Sequence, residues 1–151
     1  MLFDKDLRIK LCDMGFSTFN AVAEQSVRFE STVGTPAWMA PEVLSGETYT
    51  MSADVWSLGV IIWEMVMREE PWKGINPFAI TLMVGGNGET LDTSTVAGTW
   101  WHELMDSCWK QPCDRPTVDE LQKAVLQTRQ AVAKGQSIAA GAGLTPDGES
   151  K

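Results

Sequence analysis

A second histidine is missing: His102 stands alone among 151 residues. Cysteine is nearly as scarce: Cys12, Cys108 and Cys113 form no Cys-x-x-Cys pair and no second histidine stands beside His102 to complete a metal set, which argues against a zinc site. The three thiols are expected to be reduced and packed as small apolar residues, in a cytoplasmic chain. Positive charge is short as well, since 12 Lys plus Arg against 20 Asp plus Glu leave a net charge of −8 with no basic cluster. A polyphosphate backbone would be repelled, which argues against nucleic-acid binding. No apolar run approaches the ~20 residues of a membrane span. The longest, 55–67, is broken by Ser57, Gly59 and Glu64. The opening "MLFDKD" lacks the basic and apolar regions of a signal peptide.

What is present suits one domain with a real core: 44% of the residues are hydrophobic. "RIKLC" at 8–12 alternates as a half-buried strand should, and "DKD" turns the chain back to Leu2 and Phe3, which predicts a small hairpin. Residues 15–31 keep no periodicity and read as a long exposed loop. "GTPAWMAPEVLSG" is too apolar for a linker and too broken by proline for a long helix, so an ordered, packed turn region is expected. Ser52 is placed as the cap of a helix over 53–67, with Asp54 in its first turn. That helix is apolar almost all round, which predicts burial on every side. A shorter helix over 77–84 should stop at "GGNG". Across 99–110, Trp101, Leu104, Met105, Cys108 and Trp109 form one helical stripe, closed by Pro112. Thr117 and Glu120 have the spacing of a capping box for the last helix. Beyond 133 the composition shifts to Gly, Ala, Ser and Gln, and 134–151 is expected to be a disordered tail.

Two features invite a functional reading they do not support. "GGNGET" at 85–90 lacks a Lys-Ser/Thr end and a preceding strand, so it is a turn and not a nucleotide loop. Trp56, Trp63, Trp101 and Trp109 fall on helix faces expected to be buried, which makes them core residues and not a stacking platform.

Four motifs follow in order: "DMG" at 13–15, "GTPAWMAPE" at 34–42, "DVWSLGVIIWEM" at 54–65 and "CWKQPCDRPT" at 108–117. In that order and spacing, over about 2–125, the chain resembles the C-terminal lobe of a eukaryotic protein kinase. "GTPAWMAPE" is similar to the serine/threonine type, and "CW" with "DRPT" to tyrosine-kinase-like serine/threonine kinases. The fold implied is a mainly α, incomplete kinase-like C-terminal lobe with a short N-terminal β-hairpin, over 1–133.

The resemblance also implies roles. Asp13 matches the magnesium-binding aspartate, a hard oxygen ligand for an ion bridging the phosphates of ATP. Alone, an aspartate after a strand reads as a turn residue. Gly15 closes that triplet, and Met14 stands where phenylalanine is usual. Thr35, Pro36 and Trp38 match the substrate loop, with Thr35 the threonine that bonds the catalytic aspartate. Glu42 and Arg115 match a structural ion pair, and Asp54 an aspartate holding the catalytic loop. Ser31 and Thr32 occupy the activation-loop region as phosphosite candidates, which implies an upstream kinase beside the protein substrate.

A glycine-rich phosphate loop, an ATP-holding lysine on a strand and a His-Arg-Asp catalytic loop with its following Asn do not occur in these residues. Asp54 and one face of 55–67 thereby lose their usual partners. The chain by itself is expected to bind ATP and Mg2+ poorly and to transfer no phosphate. Two functions stay open: part of an ATP-dependent serine/threonine kinase, or a non-catalytic protein-binding module. In either, the uncovered helix face, taken to contain Val55, Ile62 and Met65, would favour self-association or partner binding.

Overall fold

The computed structural model describes residues 2–15, 17 and 34–135. Ser31, Thr32, most of the long loop and all of the tail past 135 lie outside the described residues.

The first element is the hairpin, β1 (Leu2–Phe3) antiparallel to β2 (Ile9–Lys10), with Leu2 opposite Lys10 and Phe3 opposite Ile9. Asp4 builds its turn, since one carboxylate oxygen accepts the N–H groups of both Asp6 and Arg8 at 2.9 Å. The strands are exposed on both faces, not half-buried as their alternation predicted. Pairing in two short strands needs only backbone; burial needs a second layer, and all four strand residues stay exposed.

The "GTPAWMAPEVLSG" segment packs as an ordered turn region. A 3-10 turn, Pro36–Trp38, leads to the four-residue helix α1 (Pro41–Leu44), each opened by a proline whose missing N–H needs no partner there. Ala37, Met39, Ala40 and Leu44 enter the core.

Helix α2 (Ser52–Met67) is the axis of the fold. Ser52 does not cap it: Ser52 is already helical, Met51 holds the cap position without a side-chain bond, and the Thr50 hydroxyl accepts the Ser52 N–H at 3.3 Å. The helix ends at Arg68, left-handed at φ 57°, whose N–H returns to the Glu64 carbonyl. Burial is one-sided. Val55, Trp56, Gly59, Val60, Ile62 and Trp63 are buried, whereas Asp54 and Met65 are exposed and Leu58 and Ile61 half-buried. The less covered stripe is therefore Asp54, Leu58, Ile61 and Met65, at steps of four, three and four, with Leu58 still packed against the edge of the core. Val55 and Ile62 do not belong to it, because they face the core.

Helix α3 (Pro77–Ile80) is capped by the Asn76 side chain, which accepts the Phe78 N–H at 2.8 Å. It does not stop before "GGNG": a π-helical segment, Thr81–Gly86, carries the chain through both glycines. The reason is packing against α1. A Cβ on Gly85 would stand 2.9 Å from that of Leu44, and the Gly85 carbonyl accepts the Ser45 hydroxyl at 2.8 Å. The turn comes later, at Gly88.

Helix α4 (Trp100–Cys108) packs across α2. Gly59 is what lets them meet: a Cβ there would lie 2.7 Å from both Cys108 Cβ and Trp109 Nε1. Trp101, expected in the stripe, is exposed, and its neighbour Trp100 is buried instead. With Thr99 as N-cap the inward set is Trp100, Leu104, Met105, Ser107 and Cys108, and the polar Ser107 obscures that register in the sequence. Helix α5 (Val118–Ala133) opens with the Thr117/Glu120 capping box and buries only Leu121 and Ala124. Cys108 is buried, which pushes its thiol up to about 11. Cys12 and Cys113 are exposed, not packed, because both stand in connecting segments. The fold is mainly helical with one antiparallel hairpin. No described helix is long and apolar enough to cross a membrane.

Candidate functional site

Asp13 follows β2 in an exposed stretch and holds the left-handed conformation at φ 63°. Asp tolerates that region better than most residues, but a non-glycine held there is a sign of constraint worth a functional reading. Its carboxylate has no hydrogen-bond or ion-pair partner among the described residues. Gly15 borders it: a Cβ at 15 would touch Asp13 Oδ1 at 3.4 Å. Met14 is exposed.

The segment from Gly34 to Glu42 is anchored at its far end by a buried ion pair. Arg115 Nη1 and Nη2 meet Glu42 Oε1 and Oε2 at 2.5 and 2.9 Å, a bidentate fork. Two further donors are used as well: Nη1 reaches the Ser52 carbonyl at 3.0 Å and Nε the Lys110 carbonyl at 2.8 Å. The guanidinium also lies 5.2 Å from the centroid of the Trp56 ring. One side chain thus joins α1, the start of α2 and the connection between α4 and α5. Thr35 and Gly34 are exposed, Pro36 and Trp38 half-buried. The Thr35 carbonyl accepts the Trp38 N–H at 3.1 Å, while its hydroxyl has no partner among the described residues.

Asp54 stands exposed in the first turn of α2, yet desolvation by the surrounding protein raises its pKa above the usual carboxylate value. It has no hydrogen-bond or ion-pair partner among the described residues. Of the residues singled out from sequence, the fold brings Glu42 and Arg115 into contact and sets Asp13 beside Gly15. No hydrogen bond or ion pair joins Asp13 or Asp54 to Thr35, Pro36 or Trp38. Sequence reasoning missed Trp56 as the bed of Arg115, and Ser57, whose hydroxyl donates to the Trp38 carbonyl at 2.7 Å. Their place between Asp54 and Gly59 in "DVWSLG" was the available signal.

No group of three or more His, Cys, Asp or Glu among the described residues could cage a metal. A single exposed, unpaired carboxylate suits magnesium, which keeps water and takes substrate phosphates beside one or two carboxylates.

The chain matches the family model described as protein tyrosine and serine/threonine kinase over residues 1–125, and it belongs to that family. Among its relatives are the probable serine/threonine-protein kinase drkB of Dictyostelium discoideum, 36% identical over 80% of this chain, and the mitogen-activated protein kinase kinase kinase mlk-1 of Caenorhabditis elegans, 38% identical over 79%. Serine/threonine-protein kinase CTR1 of Arabidopsis thaliana is 36% identical over 78%. The matched segments make up 17%, 11% and 14% of those three proteins, so the chain spans a small part of each.

Proposed function

We propose that these residues form the C-terminal lobe of a cytoplasmic, ATP-dependent kinase that phosphorylates serine or threonine in proteins, and that this chain alone is inactive. The observation that carries the reading is the pairing of a constrained, unpaired Asp13 with a Gly34–Glu42 loop clamped by Arg115. Asp13 would hold magnesium, which neutralises phosphate charge during transfer. The chain's own residues do the positioning: Gly15 leaves room beside the carboxylate, and Thr35, Pro36 and Trp38 present a loop surface to the protein substrate. Arg115 keeps that surface in place through Glu42. Phosphoryl transfer depends mostly on positioning and charge neutralisation, and a single aspartate cannot substitute for an ATP lysine and a catalytic base. An upstream kinase acting at Ser31 or Thr32 belongs to the same proposal.

The test is transfer of labelled phosphate to a serine/threonine peptide library, by the purified chain and by a chimera carrying residues 2–125 in place of the matching segment of a serine/threonine kinase relative. No transfer by the chain, and serine/threonine transfer by the chimera that Asp13→Ala abolishes, is the expected result. Turnover by the chain alone, or a chimera indifferent to Asp13→Ala, would overturn the reading.

A second reading, a non-catalytic protein-binding module, is favoured by a different observation. Leu2, Phe3 and Ile9 on the hairpin and Met65 on α2 are all exposed, and apolar side chains left in water are what a binding partner would cover.

A further inference from the structure

We infer that Ser57 is a positioning residue for the substrate loop, a role that rests on the reading of residues 35–38 as substrate-facing. Its hydroxyl carries one proton and has two carbonyls within reach, Trp38 at 2.7 Å and Ala53, one turn back in its own helix, at 3.3 Å. The shorter contact takes the proton. A serine inside a helix ordinarily turns its hydroxyl to its own i−4 carbonyl or to solvent; here the stronger bond leaves the helix and crosses 19 residues of chain.

The consequence runs through the backbone. Trp38 ends the 3-10 turn, and its own N–H is bonded to the Thr35 carbonyl at 3.1 Å; the next N–H, of Met39, reaches the Pro36 carbonyl at 3.2 Å. Fixing the Trp38 carbonyl therefore fixes the peptide plane between Trp38 and Met39, and with it the Met39 N–H bond to Pro36; the Trp38 N–H bond to Thr35 belongs to the preceding peptide unit and is restrained through the shared Trp38 Cα. No side chain of Thr35 caps this turn. A second side-chain tie of the segment is Arg115 on Glu42, four residues further on. Ser57 thus governs the near end of the loop and Arg115 the far end. Both are set by α2 and its flanks: Ser57 lies on the helix and Arg115 holds the Ser52 carbonyl at its start.

A residue that merely stabilised the fold would change protection everywhere, whereas a pin changes it locally. Amide hydrogen exchange by NMR on the full chain separates the two. With Ser57→Ala, the amides of Trp38 and Met39 should exchange about five- to tenfold faster relative to Val60 in α2, the effect of losing one ordinary hydrogen bond. Ser57→Thr keeps the hydroxyl and should restore the ratio to within about twofold, on the same estimate. An unchanged ratio in Ser57→Ala, or equal loss in the alanine and threonine variants, would overturn the assignment. Exchange is read without nucleotide or substrate, so failure here counts against the pin alone. Failure of the chimera to transfer phosphate counts against the kinase reading alone.

Discussion

Arg115 directs four hydrogen bonds to three parts of the chain while almost completely excluded from water: its side chain is 1% exposed and that of Glu42 6%. Two charges removed from water cost several kcal/mol each unless every lone pair and proton finds a partner, and here the geometry comes close to that condition. The pair is therefore best understood as fixing one arrangement of the loop, with net stabilisation secondary. Deleting one partner leaves the other buried and uncompensated. Arg115→Ala should cost about 3–5 kcal/mol of unfolding free energy, and Glu42→Ala a similar amount. The double variant should cost clearly less than their sum, because no lone charge is left inside. Denaturant titration of the four proteins measures this coupling; additive losses would show that the pair acts as two independent residues.

The elements differ in how openly the sequence announces them. Helix α5 was legible because its start is chemical: Thr117 accepts the Glu120 N–H and the Glu120 carboxylate accepts that of Thr117. Helix α4 was legible as a helix, and Leu104, Met105, Cys108 and Trp109 of its stripe do lie in the core; Trp101 was misassigned, since Trp100 and Trp101 are equally apolar and only packing against α2 decides which turns inward. The π-helical segment was not legible at all. Glycines normally end a helix, and only the close approach of Leu44 and the Ser45 hydroxyl to Gly85 explains their place inside one. At the candidate site, the family resemblance carried by the four motifs pointed to Asp13, Glu42 and Arg115, of which the fold joins the last two. Ser57 escaped because its partner is a backbone carbonyl, which no residue type betrays. The α5 cap also supplies a test with a pH sign. Hydrogen bonds from the Thr117 backbone and hydroxyl hold the Glu120 carboxyl below the usual glutamate range. A depressed folded pKa stabilises the protein above the unfolded pKa, and that contribution disappears as pH falls through the folded one. Thr117→Ala should accordingly cost about 1 kcal/mol near neutral pH. The penalty should shrink on acidification below the ordinary glutamate range, as followed by thermal melts at a series of pH values. A penalty that grew in acid would contradict this account of the cap.

At the scale of the molecule, apolar side chains stand in water at several places, among them Phe78 on α3 and Val118, Val125, Leu126 and Val132 on α5; the hairpin and one side of α2 are the two that bear on the binding reading. The hairpin exposes Leu2, Phe3, Leu7 and Ile9, and α2 exposes Met65 beside the half-buried Leu58 and Ile61. If a partner or second copy covered only ~300 Å2 of this surface, the transfer free energy at ~25 cal/mol per Å2 would be roughly 7 to 8 kcal/mol before association costs, comparable to the stability of an ordinary domain. The purified chain should therefore bind hydrophobic dye and self-associate at micromolar to millimolar concentrations. Asp54 sits in the same stripe and opposes that covering. Desolvation already raises its pKa, so its ionised form carries a penalty at pH values above the folded pKa, which fades as pH falls through it. Further covering deepens the penalty, so association should tighten as the carboxyl takes up its proton. The chain's net charge of −8 also relaxes on acidification, and Asp54→Asn separates the two effects because it removes one specific charge at neutral pH. Light scattering and size exclusion at several concentrations should find Asp54→Asn more associated than the parent at pH 7, with a smaller response to acid. Met65→Lys, which places a charge on the stripe without touching the core, should be less associated at every pH. A dye-silent monomer in all three proteins would mean that the stripe is closed within the chain itself, and would remove the observation on which the binding-module reading stands.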